Sequence, residues 1–316
     1  MELRHRLVRQ TIDWAVSKSM DAMAGNTGRE IRKLIDLGQM FAQSKNQKWF
    51  FNCAQKVVCD PKNSYNHLML RVLDDIDRKT LKTVGLNLGY SSLIYGARKL
   101  RKQQKATGEQ LPWILVFDLR DFSPADLPQI ENLILENRET GIYSYIFCLR
   151  ELDGISPLCA AAEKFGECLF AFRAPAGRIT EQASSSLGTL PNAIVSVEVP
   201  GGGFADEDCV RAFRLLKSHR CFYGFDTVYE ENRWEKAACP ESICSAISCG
   251  CVFGVFRAGE GVPDSCRKAV YDFVSRERDG TGLPLVAFEW DRDIEEISLK
   301  IHAPTGCRLI RFNSHG

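Results

Sequence analysis

The chain has 316 residues, 45% of them hydrophobic, and 41 basic against 40 acidic side chains leave a formal charge of +1. That length and apolar content can bury a barrel-sized core plus a smaller appended unit, and the balanced charge argues against nucleic acid or an anionic membrane as a partner. The start of the sequence has no signal-peptide core and no stretch approaches the ~20 apolar residues of a membrane span, so a cytoplasmic protein is expected.

Residues 1–110 read as a helical N-terminal region and residues 111–316 as an α/β unit. Arg4, Arg6 and Arg9 read as a solvated helix face. Ile31, Leu34 and Ile35, then Trp49, Phe50, Cys53, Ala54 and Val57, recur at helical spacing. Asp60-Pro61-Lys62-Asn63-Ser64 reads as a turn, and Asp77 as the cap of a helix running through Thr80, Leu81 and Val84. A polar stretch from Arg98 to Gln110 ends in Leu111-Pro112-Trp113, where the pattern changes.

From Trp113 onward, short apolar runs alternate with helical segments at a spacing of roughly 25 to 33 residues. The runs are Trp113 to Phe117, Tyr143 to Phe147, Leu169 to Phe172, Ala193 to Val197, Cys221 to Phe225, Cys251 to Phe256 and Leu285 to Phe288. Regular βα alternation predicts a parallel sheet. Ser123-Pro124, Ser156-Pro157 and Asp206 supply helix starts. A (β/α) barrel is the expected architecture, with an open doubly wound sheet as its competitor. In a barrel the functional face lies at the C-terminal ends of the strands.

Those ends carry Asp118 and Arg120, Arg150 and Glu151, Arg173, Glu198, Asp226, Arg257, and Glu289 with Asp291. Arg150, Arg173 and Arg257 suit an anionic small molecule, because guanidinium pairs bidentately with carboxylate or phosphate and stays charged. Glu151, Glu198 and Asp226 would orient such a ligand or act as acids or bases. The competing reading is internal pairing, for instance of Arg150 with Glu198. Gly201-Gly202-Gly203 is a weak phosphate-loop signal, since neither GxGxxG nor GxxxxGK[ST] is present. The five histidines sit away from the strand ends, and neither GxSxG nor HExxH occurs.

The 13 cysteines include no CxxC pair. Cys239, Cys244, Cys249 and Cys251 match no zinc or iron-sulfur spacing and read as a helix running into a buried strand. No metal site is expected.

Several segments resemble radical S-adenosylmethionine (radical SAM) enzymes: Asp75 to Thr83, Leu111-Pro112-Trp113 with the first strand, Gly141 to Tyr145, and Tyr223-Gly224-Phe225 onward. The resemblance implies a radical-SAM-like partial barrel of about six parallel strands, with Leu285 to Phe288 as an edge addition. In that family CxxxCxxC after the first strand holds a four-iron cluster; here Leu119-Arg120-Asp121-Phe122-Ser123-Pro124 stands in its place, and CxxxCxxC occurs nowhere. The Gly-Gly-Glu-Pro stretch of the family corresponds to Leu149-Arg150-Glu151-Leu152, where only the glutamate survives, and its Ser-x-Glu/Asp-Gly pattern is similar to Ser196-Val197-Glu198-Val199, which keeps the acid and loses the glycine. Arg308 to Gly316 resembles the strand before the family's cysteine-rich extension, so auxiliary clusters are not expected either. The resemblance therefore implies neither an iron-sulfur cluster nor S-adenosylmethionine as cofactor, and a pseudoenzyme: a non-catalytic binding or regulatory partner of an active radical SAM paralogue or of a carrier protein. The alternative is a cluster-free enzyme for an anionic ligand.

Overall fold

A computed structural model describes residues 2–42, 45–60, 62–152, 154–278, 282–303 and 305–312. Pro61 of the predicted turn and residues 313–316 lie outside them, as do the side chains of Arg4, Trp49, Phe50 and Cys53.

The N-terminal part is helical: α1 (Glu2–Phe41), α2 (Lys45–Cys59), α3 (Ser64–Asp75), α4 (Arg78–Leu86), a π-helical segment (Asn87–Gly96) and α5 (Ala97–Thr107). Asp77 caps α4 as its sequence context predicts, its side chain accepting from Thr80 N, and Asn63 does the same for α3 through Tyr65 N. Gly108, at φ +73°, ends α5 in the left-handed conformation that costs glycine least.

Strand and helix then alternate: β1 (Pro112–Asp118), α6 (Leu127–Thr140), β2 (Ser144–Cys148), α7 (Ser156–Lys164), β3 (Leu169–Pro175), α8 (Glu181–Gly188), β4 (Ala193–Glu198), α9 (Glu207–Ser218) and β5 (Tyr223–Tyr229). There follow α10 (Trp234–Ala237), α11 (Pro240–Ser248), β6 (Phe253–Ala258), α12 (Asp264–Glu277), β7 (Val286–Glu289), α13 (Trp290–Ile301) and β8 (Thr305–Arg311). Ser123 starts the turn before α6 with a capping box closed by Asp126, and Asp206 caps α9. The expected cap at Ser156 does not form: the helix begins at that residue without a side-chain cap.

Every neighbouring pair is parallel, in the order β7-β6-β5-β4-β3-β2-β1-β8. The sheet curls into a half-barrel with helices around it, and the sequential order rules out a doubly wound sheet. Eight strands form rather than about six. Val286–Glu289 is indeed an edge, while the segment around Arg308 becomes β8 on the opposite edge, beside β1. Helix α13 packs on β6, β7 and β8, carrying the chain from one edge to the other. Trp113 of β1 donates its ring N–H to Ser298 Oγ of α13 at 3.0 Å.

Period-two alternation sorts the side chains. Phe117, Phe147, Phe172, Phe225 and Phe256 are fully buried and face the surrounding helices, where Phe225 meets Phe204 edge-on and Phe256 meets Phe273. Burying each such ring contributes about 1.5–3 kcal/mol. The opposite, concave face is partly filled by α3: Leu68, Val72 and Ile76 pack with Phe253, Ile194, Phe222, Val255 and Phe288. Arg71 of α3 donates to the Cys251 and Pro284 carbonyls, just before β6 and β7. Ser92 shares a 2.7 Å hydrogen bond with Ser144 at the start of β2, and Asn87 donates to the Cys168 carbonyl before β3. The N-terminal helices thus seat at the N-terminal ends of the strands and leave the C-terminal ends to polar groups. Among the described residues no helix is long and apolar enough to cross a membrane.

Candidate functional site

In each of the first six strands the residue after a large outward apolar side chain points into the concave face near the strand's end. This rule places Asp118, Cys148, Arg173, Glu198, Asp226 and Arg257 there. Pairing β8 with β1 sets Arg311 opposite Asp118.

Asp226 is the anchor. It is 3% exposed and accepts from Arg257 Nε at 2.7 and 2.9 Å, with Arg257 Nη2 at 2.5 Å. Burial pulls the Arg257 guanidinium down, but the bonds to Asp226 and the charge of Glu198 outweigh it and hold the group above its ordinary range. Glu198 Oε1 lies 3.7 Å from Arg257 and 3.3 Å from Arg173 Nε. The Arg173 Nε is buried and makes no hydrogen bond among the described residues, because its approach to Glu198 is misaligned. The four residues form a neutral, alternating array of Arg173, Glu198, Arg257 and Asp226.

Beside this array, Asp118 takes a bidentate pair from Arg120 at 2.7 and 2.5 Å. The bond to Arg120 outweighs burial and, with the charge of Arg311, holds the Asp118 carboxyl below its usual range. Cys148 lies between the two groups and feels the charges of Arg173, Asp118, Arg257 and Asp226; burial pushes its thiol up.

The remaining sequence candidates stand elsewhere. Arg150 and Glu151 are exposed loop residues beyond β2, and they pair with Asp121 at 3.3 Å and Arg178 at 3.4 Å. The anticipated Arg150–Glu198 pair does not form, because Glu198 is engaged by the inward arginines of β3 and β6. Glu289 is fully buried but belongs to the outer face, where it caps α13 through Arg292 N and accepts from the Tyr229 hydroxyl at 2.7 Å. Asp291 pairs with Arg267 at 2.8 Å on the surface. Cys148 and Arg311 were missed by taking the residues that follow each strand; the alternation of Phe147 with Cys148 is the signal that would have found the cysteine. Among the described residues no group of three or more His, Cys, Asp or Glu could hold a metal ion.

No protein-family model matches the chain, and no curated protein matches it. Among solved structures, it is similar to SuiB of Streptococcus suis bound to the precursor peptide SuiA, with 11% identity and a TM-score of 0.51. That match covers 69% of this chain and 62% of SuiB, so the chain spans under two thirds of SuiB's length. The likeness is one of fold, an α/β partial barrel. SuiB bound to S-adenosylmethionine aligns less well, at 12% identity and a TM-score of 0.43 over 70% of this chain and 55% of SuiB. A tryptophan synthase alpha-subunit variant of Pyrococcus furiosus aligns at 9% identity and 0.39, covering 63% of this chain and 86% of that one.

Proposed function

We propose that this chain is a cluster-free protein on a radical-SAM-like barrel that acts as a non-catalytic binding or regulatory partner of an active radical SAM enzyme or of that enzyme's substrate. The observation that carries this reading is the mouth beyond β1. A four-iron cluster needs three converging thiolates. The loop leaving β1 offers instead the Asp118–Arg120 ion pair, and the neighbouring strand end offers Cys148 alone. Hard, mutually paired carboxylate and guanidinium groups do not replace soft thiolate ligation. The donor set does not fit the cluster, and S-adenosylmethionine, which the cluster would anchor, is not expected to bind either. SuiB's complex with a precursor peptide makes a peptide substrate one class of partner to test.

The experiment has two arms. Anaerobic reconstitution with iron and sulfide should leave no stoichiometric cluster; a charge-transfer band with about four irons per chain would overturn the proposal. Co-expression with radical SAM enzymes encoded beside this gene, and with their substrates, should yield a co-purifying complex. Recovery of this chain alone from every such pair removes the partner reading.

A second reading rests on Arg173. Its buried Nε without a hydrogen bond is a donor that an anionic ligand could satisfy, with Arg257, Glu198 and Asp226 orienting it. Arg150 and Glu151 would then act at the rim. Stabilisation by phosphates or small carboxylates, abolished in Arg173→Ala, would favour this reading over a purely protein-binding role.

A further inference from the structure

The two edges of the sheet differ. β7 has four residues, and its last, Glu289, donates its backbone N–H to Asp293 Oδ2 of α13 at 2.7 Å, so that edge is short and partly tied down. β8 has seven residues, contains no proline and pairs with β1 alone. Short strands and prolines are common ways of blunting an edge, and β8 has neither. Along a strand every second residue turns its backbone groups to the same neighbour. Phe312 N donates to Asp118 O of β1, whereas Leu119 N turns the other way, to Cys148 O. Arg308 and Ile310 therefore bond to β1 as Phe312 does. Cys307, Leu309 and Arg311 turn their N–H and C=O groups outward, where they make no hydrogen bond among the described residues. Helix α13 packs on the helix-facing side of β8, where a Cβ at Gly306 would collide with Ile294, and it bonds none of these edge groups.

The side chains of the edge select what can pair with it. Leu309 and Arg311 share the concave face with Asp118, and Leu309 is 50% exposed. Asp118 is committed to Arg120, so Arg311 opposite it makes no ion pair or hydrogen bond among the described residues. Arg308 is also exposed and reaches only the Gln110 carbonyl, at 3.5 Å. A row of outward donors and acceptors is matched by another extended backbone. A second copy of β8 would bring two more arginines against these two, and like charges across paired strands destabilise. We infer that the outer edge of β8 receives an extended acidic peptide segment, which adds as a further strand with a carboxylate on Arg311 and an apolar side chain beside Leu309. The inference deepens the partner reading by naming a docking surface for it. Peptide binding is read on this chain alone, so its failure leaves the partner reading to be judged by co-purification.

The test uses the full chain and a capped octapeptide, acetyl-Thr-Val-Thr-Glu-Thr-Val-Thr-Glu-amide, whose valines and glutamates share one face of a strand. Titration calorimetry should show it binding more tightly than the same peptide with lysine in place of glutamate. N-methylation of alternate residues should abolish binding in one set of positions and spare it in the other, because only one set of amides faces β8. Leu309→Pro removes an outward N–H without touching the ladder to β1 and should weaken the glutamate peptide by at least about fivefold, one hydrogen bond expressed as a binding ratio. Arg311→Ala should weaken it by about threefold to fivefold, as for an exposed ion pair, and Arg311→Glu should reverse the preference between the two peptides. No binding of the glutamate peptide to the wild type, or equal binding of the glutamate and lysine peptides, overturns the inference with no variant needed. Equal loss from both N-methylated sets overturns it too, and so does a concentration-dependent dimer that Leu309→Pro dissolves, which would assign the edge to a second copy.

Discussion

Replacing Arg257 with methionine keeps most of the side chain's apolar length and removes the cation that faces Asp226. The carboxylate left behind is 3% exposed. The lost contacts are the bonds from Arg257 at 2.7, 2.9 and 2.5 Å, and Glu198, which itself lies 3.7 Å from the Arg257 guanidinium, cannot substitute because an ionised carboxylate only accepts. Removing one partner of a buried pair costs about 3–5 kcal/mol. Arg257 is 23% exposed, so water offsets part of that cost and the lower end, about 3 kcal/mol, is expected. At about 2 °C per kcal/mol for a chain of this size, the melting temperature should fall by roughly 6 °C. The double variant Asp226→Leu with Arg257→Met removes the stranded charge and should recover most of the loss, since apolar replacement of a buried pair is commonly neutral or better. Melting curves for wild type, both singles and the double complete the cycle. A loss under about 1 kcal/mol in Arg257→Met would refute the reasoning, because it would mean that Asp226 is not desolvated by its partner. If the same variant instead lost anion-dependent stabilisation at an unchanged melting temperature, Arg257 would belong to a ligand site rather than to an internal pair.

Burial raises the carboxyls of Glu289 and Asp293 above their ordinary range. They hold protons more tightly folded than unfolded, so the stability they contribute is complete below the unfolded pKa and is lost as pH rises through the folded one. Glu289→Gln, which keeps one of the two accepted bonds, should therefore show a flatter fall in urea midpoint between about pH 4 and pH 7; an unchanged slope would count against the assignment. Iodoacetamide applied to the native protein at mildly alkaline pH should alkylate the exposed Cys59 and Cys244 and spare Cys148, Cys221 and Cys251. Burial pushes Cys221 up to about 12 and raises the other two, so prompt native labelling of Cys148 by mass spectrometry would show an open, reactive mouth instead.

The strands were legible because buried parallel strands read as short apolar runs, although β5 and β6 begin two residues later than the runs at Cys221 and Cys251 imply. In both, the first residues make the turn from the preceding helix: Cys221 N bonds to Leu216 O and Cys251 N to Ala246 O. The eighth strand was harder to place, because Thr305–Arg311 is half exposed and its neighbour is fixed only by α13 crossing the sheet. Four of the six candidate ligand residues, Arg173, Glu198, Asp226 and Arg257, meet on one face. Arg150 and Glu151 do not, since they lie past the last paired residue of β2, where alternation no longer sets direction.

By itself the sequence determined the βα alternation, the capped starts at Asp77, Ser123 and Asp206, and the absence of a CxxxCxxC loop, because each depends on residues within a few positions of one another. Only the tertiary structure decided that Asp226 takes Arg257 while Glu198 lies between two arginines, that α3 fills the concave face, and that β8 forms an open edge beside β1. Those outcomes depend on strand register, sheet curvature and helix docking, which bring together groups that pairwise spacing along the chain does not relate.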